Sequence, residues 1–186
     1  MRVLRALVIL GIALLLGSGT VHAQGGSANF HIGGGPVLPQ GSFNDGFKTG
    51  WQGMAGLAFN LKGIPFLIRV DGFYGRNKGD ESQVGSDVKT SLLGALLGGQ
   101  YYLGGRTSSI RPYLLGQVGV THAELEVGQL DDSEDKFTFA GGAGIMFAAG
   151  SLQVFIEGKY LSVLTSGSST NMIPIVVGLQ FSGVKD

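Results

Sequence analysis

Leu152-Gln153-Val154-Phe155-Ile156-Glu157-Gly158-Lys159-Tyr160 is the stretch from which the fold can be read. Leu152, Val154, Ile156 and Tyr160 fall on one side of an extended chain, and Gln153, Glu157 and Lys159 fall on the other. A period of two marks a strand with unlike faces. The same period recurs upstream. Phe66, Ile68, Val70 and Tyr74 oppose Arg69 and Asp71. Trp51, Ala55, Leu57, Phe59 and Leu61 oppose Gln52, Met54, Gly56, Ala58 and Asn60. Phe137, Phe139, Ile145 and Phe147 oppose Lys136, Thr138, Gly142 and Gly144. Near the end, Ile173, Ile175, Val177, Leu179 and Phe181 share one side.

Eight strands are expected, over residues 28–37, 50–61, 65–76, 88–103, 111–127, 136–148, 152–163 and 171–181. Each reaches the roughly 10 residues that a tilted strand needs to cross a bilayer. The fourth has no clear register, because Leu92, Leu93, Leu96 and Leu97 occupy both faces. One face of the set is apolar, with aromatics near the strand ends: Trp51, Phe59, Phe66, Tyr74, Tyr101, Phe137, Phe147, Tyr160 and Phe181. Such a pattern suits two interfacial girdles. A soluble β-sandwich would point the same apolar face inward, and alternation alone does not separate the two.

Composition and connections do. The chain has 34 glycines, no cysteine, zero formal net charge and 14% charged residues. Soluble domains carry about 25%. The mean hydropathy is positive, yet past the N-terminus no apolar run is long enough for a helical span. A hydrophobic chain without a hydrophobic helix fits a membrane barrel, whose lipid face lies on alternate residues. Without cysteine there is no disulfide or thiolate metal site. The absence of a basic excess argues against a nucleic-acid partner. Long connections (38–49, 77–87, 128–135 and 164–170) alternate with shorter ones at 62–64, 104–110 and 149–151. Up-and-down membrane barrels sort long outer loops and tight periplasmic turns in this way.

The N-terminus reads as a secretory signal over residues 1–23. Arg2 and Arg5 precede an apolar run at 6–16, and Val21-His22-Ala23 fits a cleavage site. A retained anchor is the alternative. The remaining residues, 24–186, make one domain. The expected fold class is all-β: an eight-stranded antiparallel up-and-down transmembrane β-barrel, after a cleaved N-terminal signal peptide, in the bacterial outer membrane. Closure satisfies every backbone group in lipid. An eight-stranded barrel is just wide enough for its own side chains to fill. Arg69, Asp71, Arg111, Glu157 and Lys159 are expected inside as an ion-pair network, since buried charges need partners.

The chain also resembles a family. Arg111-Pro112-Tyr113-Leu114-Leu115-Gly116-Gln117-Val118-Gly119 is similar to the recurrent Pro-Tyr strand of the small outer-membrane β-barrel domain proteins, the group that includes OmpX and the OmpA membrane domain. Val154-Phe155-Ile156-Glu157-Gly158-Lys159-Tyr160 resembles their penultimate strand. Gly33-Gly34-Gly35-Pro36 with Gly41-Ser42-Phe43 resembles their opening strand and first loop. The resemblance implies a barrel inserted by the barrel-assembly machinery, which reads a final aromatic residue. Phe181 holds that place, but residues 182–186 follow it.

No catalytic constellation is expected. Past the signal only His31 and His122 remain, too few for a zinc site. His31 is expected to face the lumen with Asn29, and His122 to be an interfacial residue. A lipid A deacylase would place a His and a Ser two residues apart on a late strand, and the last two strands lack histidine. Asp131, Asp132, Glu134 and Asp135 lack the spacing of a calcium loop and read as a solvated tip. No cofactor or metal is expected. The partners expected are outer-membrane lipids, the assembly machinery and an extracellular partner reached through the loops. Three readings of function follow: a structural or surface-interaction barrel; a narrow channel or small-solute binder lined by Gly33, Gly35, Gly56, Gly94, Gly98, Gly142, Gly144 and Gly178; or a soluble periplasmic lipocalin-like binder of an apolar ligand.

Overall fold

A computed structural model describes residues 27–84, 88–104, 108–127, 130–149, 152–165 and 168–182. The signal segment, 1–23, lies outside them. The described strands are β1 (Ser27–Gln40), β2 (Gly50–Asn60), β3 (Leu67–Lys78), β4 (Val88–Tyr102), β5 (Ile110–Val127), β6 (Leu130–Ala149), β7 (Leu152–Thr165) and β8 (Ser168–Ser182). Each pairs antiparallel with its sequence neighbours, and β1 pairs with β8 to close the barrel. The sheet therefore has no edge across its closed girth, which is what hydrocarbon requires of a spanning sheet.

The period-two pattern sets the faces. Val120 is 60% exposed and Val177 54%, whereas Arg69 is 3% and Lys159 2% exposed. Charges lie inside and apolar side chains outside, the reverse of a soluble barrel. The lipocalin-like reading is corrected by this inversion: its ligand cavity would need the apolar face inward. On β4 the register is now defined. Leu92 and Leu96 are buried in the lumen, while Leu97 is on the exposed face, and Leu96 stands opposite Asp71 of β3.

Two of the expected long loops are mostly strand. The acidic segment expected as loop 128–135 belongs largely to β6, which begins at Leu130 and pairs with β5 from Val127↔Leu130 onward. The segment 164–170 is likewise taken up by β7 and β8, which pair as far as Thr165↔Ser168. The sorting by loop length expected from the sequence thus holds only for the first two outer connections. At the last two, strand extension replaces loop length.

The first two outer connections fold over the barrel mouth. Gly41, at φ 58, turns the chain out of β1 into a short helix, α1 (Ser42–Gly46). A left-handed φ suits glycine at this exit. Phe43 of α1 is buried as part of the apolar cluster that fills the lumen, and its ring lies 4.6 Å from that of Phe47. The second connection carries a shorter helix, α2 (Glu81–Val84). It is tied to the first by Asp80 N–H donating to the Gly46 carbonyl (2.8 Å) and by a Phe47↔Gly79 bridge. The Asp80 carboxylate accepts from the Ser82 hydroxyl at 2.8 Å, which holds its pKa below the ordinary value.

Candidate functional site

The polar network of the lumen is built from lumen-phase residues of five strands. Arg69 and Asp71 stand two apart on β3, so both point inward. Glu157 and Lys159 do the same on β7. Across the barrel, Arg69 Nη1 donates to Glu157 Oε2 at 2.6 Å and to Gln100 Oε1 at 3.1 Å. Arg69 Nε lies 2.9 Å from Asp71 Oδ2. Asp71 also accepts from Gln117 Nε2 at 2.9 Å and lies 2.6 Å from His31 Nε2. Tyr113 donates its hydroxyl to Glu157 at 2.9 Å. Lys159 Nζ lies 3.4 Å from Glu157 and 3.8 Å from Asp71. Two cations thus face two carboxylates. Buried charges are tolerated on that condition.

Arg111, grouped with these four in the sequence reading, stands apart from them. It sits nearer the periplasmic end, where its Nη2 donates to Gln153 Oε1 at 2.9 Å and its guanidinium lies 4.9 Å from the Tyr102 ring centre. The reason is position: Arg111 is two residues nearer the strand start than Tyr113, the β5 residue that reaches Glu157. Sequence reasoning also missed Tyr113, Gln100 and Gln117 as members of the network. Their lumen phase was available, but partners 31 to 46 residues away are set by barrel closure alone. His31 is in the lumen as expected, with Asp71 as its partner.

Apolar side chains pack above and below the charges. Met146 and Phe155 are buried on the periplasmic side; Leu92, Leu161, Val163, Met172 and Phe43 are buried on the outer side. The lumen glycines serve this filling. A Cβ on Gly94 would lie 2.3 Å from the Phe73 ring, one on Gly144 2.3 Å from Tyr113, and one on Gly178 2.3 Å from Phe155. These glycines leave room for neighbouring large side chains, so they do not mark open space. The glycine argument for a channel is corrected on this ground.

Most of the outward aromatics separate into two levels. Phe59, Phe66, Tyr101, Phe147 and Phe181 lie near the strand ends that carry the periplasmic turns; Phe30, which stacks 6.3 Å from Phe181, joins them. Trp51, Tyr74, Phe137 and Tyr160 lie toward the outer ends, and the rings of Trp51 and Tyr74 meet at 5.6 Å. Beyond Phe137 the outward residues of β5 and β6 turn polar. Cα partners His122 and Asp135 also join through their side chains, Nδ1 to Oδ1 at 2.8 Å.

A family model described as the outer membrane protein β-barrel domain matches residues 11–181. The chain belongs to this family. That membership places this outer-membrane barrel in the bacterial outer membrane. No curated protein matches it in sequence. Among solved structures, the barrel is similar to Neisserial surface protein A, at 15% identity and a TM-score of 0.63, over 85% of this chain and 99% of that one. It is similar to a major outer membrane protein from Thermus thermophilus, at 10% identity and 0.56, over 84% and 99%. Ail of Yersinia pestis, solved in a phospholipid nanodisc, gives 15% and 0.52, over 84% and 99%. At these identities the likeness is one of fold.

Proposed function

We propose that this outer-membrane barrel is a non-catalytic surface-interaction protein, whose sealed barrel holds a projecting hairpin for contact outside the cell. The observation that carries this reading is the reach of β5 and β6. Their pairing continues from His122↔Asp135 to Val127↔Leu130, past the last lipid-facing pair, Val120↔Phe137. Six residues of tilted strand rise roughly 15 Å beyond the membrane. Pairing of β6 with β7 stops at Thr138↔Val163. The outer part of β6 therefore lacks a neighbour on that side among the described residues. Glu134, Asp135 and Lys136 stand along this edge, and charge there discourages indiscriminate strand pairing. On its other side β5 stays paired with β4 as far as Val88↔Val127, so the arm is a braced extension of the sheet with one selective edge on β6, which is suited to protein contact. The filled lumen favours this reading over solute passage. Ail, one of the barrels of similar fold, is by its name an attachment invasion locus protein, which is compatible with such a role. Insertion itself is proposed to rest on the barrel-assembly machinery, with Phe181 as the aromatic it reads.

The test compares cells displaying the full protein with cells in which residues 124–133 are replaced by a two-residue turn. Adherence to epithelial cells and to immobilised matrix proteins is expected to fall for the shortened arm, with equal amounts of folded barrel in the membrane. Single-barrel planar bilayers should stay silent for both. Steady conductance by the full protein, with unchanged adherence, would favour the channel instead.

A further inference from the structure

Arg111 is the lumen cation that the charge network leaves out. It shares the inward phase of β5 with Tyr113, which is buried, while Pro112 between them is exposed. Among the described residues its guanidinium meets only neutral groups: Gln153 Oε1 at 2.9 Å and the Tyr102 ring at 4.9 Å. Its Nε is buried without a partner. The lumen carboxylates Asp71 and Glu157 are held by Arg69 and Lys159. No other Asp or Glu stands on their periplasmic side among the described residues. The neighbours of Arg111 deepen the imbalance. Gln153 Oε1 already accepts from Gln180 Nε2 at 3.0 Å. Gln180 and Gln100 lie beside the Tyr102 hydroxyl. Gln100 Oε1 is taken by Arg69 Nη1, which fixes the amide's orientation and leaves its Nε2 buried without an acceptor. The periplasmic mouth of the lumen is therefore rich in donors and carries an uncompensated charge. Buried donors without partners are costly, and a guanidinium short of a counter-ion calls for an anion.

The mouth selects what can enter. Arg111 points into the lumen, so lipid outside the barrel wall does not reach it. Met146, the Cα partner of Arg111, and Phe155 are buried and fill the bore just within, as the width of eight strands dictates. A slender end group has room beside the guanidinium where a bulky ligand does not. A carboxylate is planar and matches the guanidinium fork with two parallel hydrogen bonds.

We infer that Arg111, with the Gln100 amide as second donor, forms a binding site for a carboxylate that enters the barrel from the periplasm. The anion supplies the counter-charge that the lower lumen lacks and caps the barrel at its inner end. Two sources share this chemistry: a free periplasmic carboxylate, or the side chain of Asp186, the acidic residue that follows β8 in the sequence. The site lies at the opposite end from the hairpin arm and does not rest on the adhesive reading.

The test uses the full chain in phosphatidylcholine nanodiscs, with nitrogen-15 in its arginine and glutamine side chains. A short Ser-Gly extension follows Asp186, so that the acid there is the side chain alone. The Arg111 Nε–H resonance, identified by its loss in R111Q, is followed as sodium acetate replaces sodium chloride at constant ionic strength. It should shift saturably, and the Gln100 side-chain amide should move with it. In R111Q, which the gel shift shows to be folded, the Gln100 amide should stay still. A response of the wild type assigns the site to a free carboxylate. A silent wild type with a saturable response in D186N assigns it to the chain's own side chain. No saturable shift in either protein would overturn the site. So would a Gln100 response that persists in R111Q, because the anion would then bind without the guanidinium.

Discussion

Arg69 of β3 and Glu157 of β7 meet at 2.6 Å across the lumen, 88 residues apart in the chain. This contact exists only when the barrel has closed, so it reports closure directly. Replacing Arg69 with Met leaves Asp71 and Glu157 short of a cation in a buried site. The expected loss is about 3–5 kcal/mol, read by urea unfolding in vesicles with the gel shift as signal. Changing Glu157 to Met as well should cost less than the sum of the two single changes, by about 0.5–3 kcal/mol. Strict additivity would mean that the two groups do not meet.

The glycine pattern predicts a contrast between the two faces. Gly94→Ala sets a Cβ 2.3 Å from the Phe73 ring and should cost about 1–3 kcal/mol. Phe73→Leu should relieve part of that loss, because the two atoms nearest the added methyl belong to the Phe73 ring. Gly116→Ala, on the outward face with nothing within 4 Å, should stay within about 0.5 kcal/mol of wild type. The same unfolding assay checks all three variants.

Lipid depth predicts a second contrast. Val70 lies midway between Phe66 and Tyr74 on the outward face of β3 and is 42% exposed. Val70→Arg should cost about 2–4 kcal/mol in a bilayer. Ser133→Arg, on the projecting part of β6, should change stability by no more than about 0.5 kcal/mol. Equal effects at the two positions would contradict the placement of the lipid belt.

Much of this was legible because lipid and lumen impose opposite chemistries on alternate residues. Trp51 against Gln52 and Ile156 against Glu157 show their faces without any structure. The β4 register was hidden for a physical reason: Leu92 and Leu96 fill the lumen, so apolar residues occur on both faces. The reach of β5 and β6 was hidden for the opposite reason. Past His122 both faces meet water, alternation fades, and the acidic residues of β6 read as a loop. The charged set was legible by phase alone. That Arg69 reaches Glu157 while Arg111 turns to Gln153 depends on the height of each strand in the closed barrel, which no local pattern encodes.

The arrangement on which the proposed role depends is a closed barrel that displays the β5–β6 hairpin outside the cell and its short turns inside. The chain contains no cysteine, so single substitutions report position without background. The measurement is labelling of Ser133→Cys and Lys62→Cys on intact cells with a membrane-impermeant maleimide, repeated after the outer membrane is permeabilised. With this arrangement Ser133→Cys is labelled on intact cells and Lys62→Cys only after permeabilisation. Labelling of Lys62→Cys on intact cells, or protection of Ser133→Cys until permeabilisation, would contradict it.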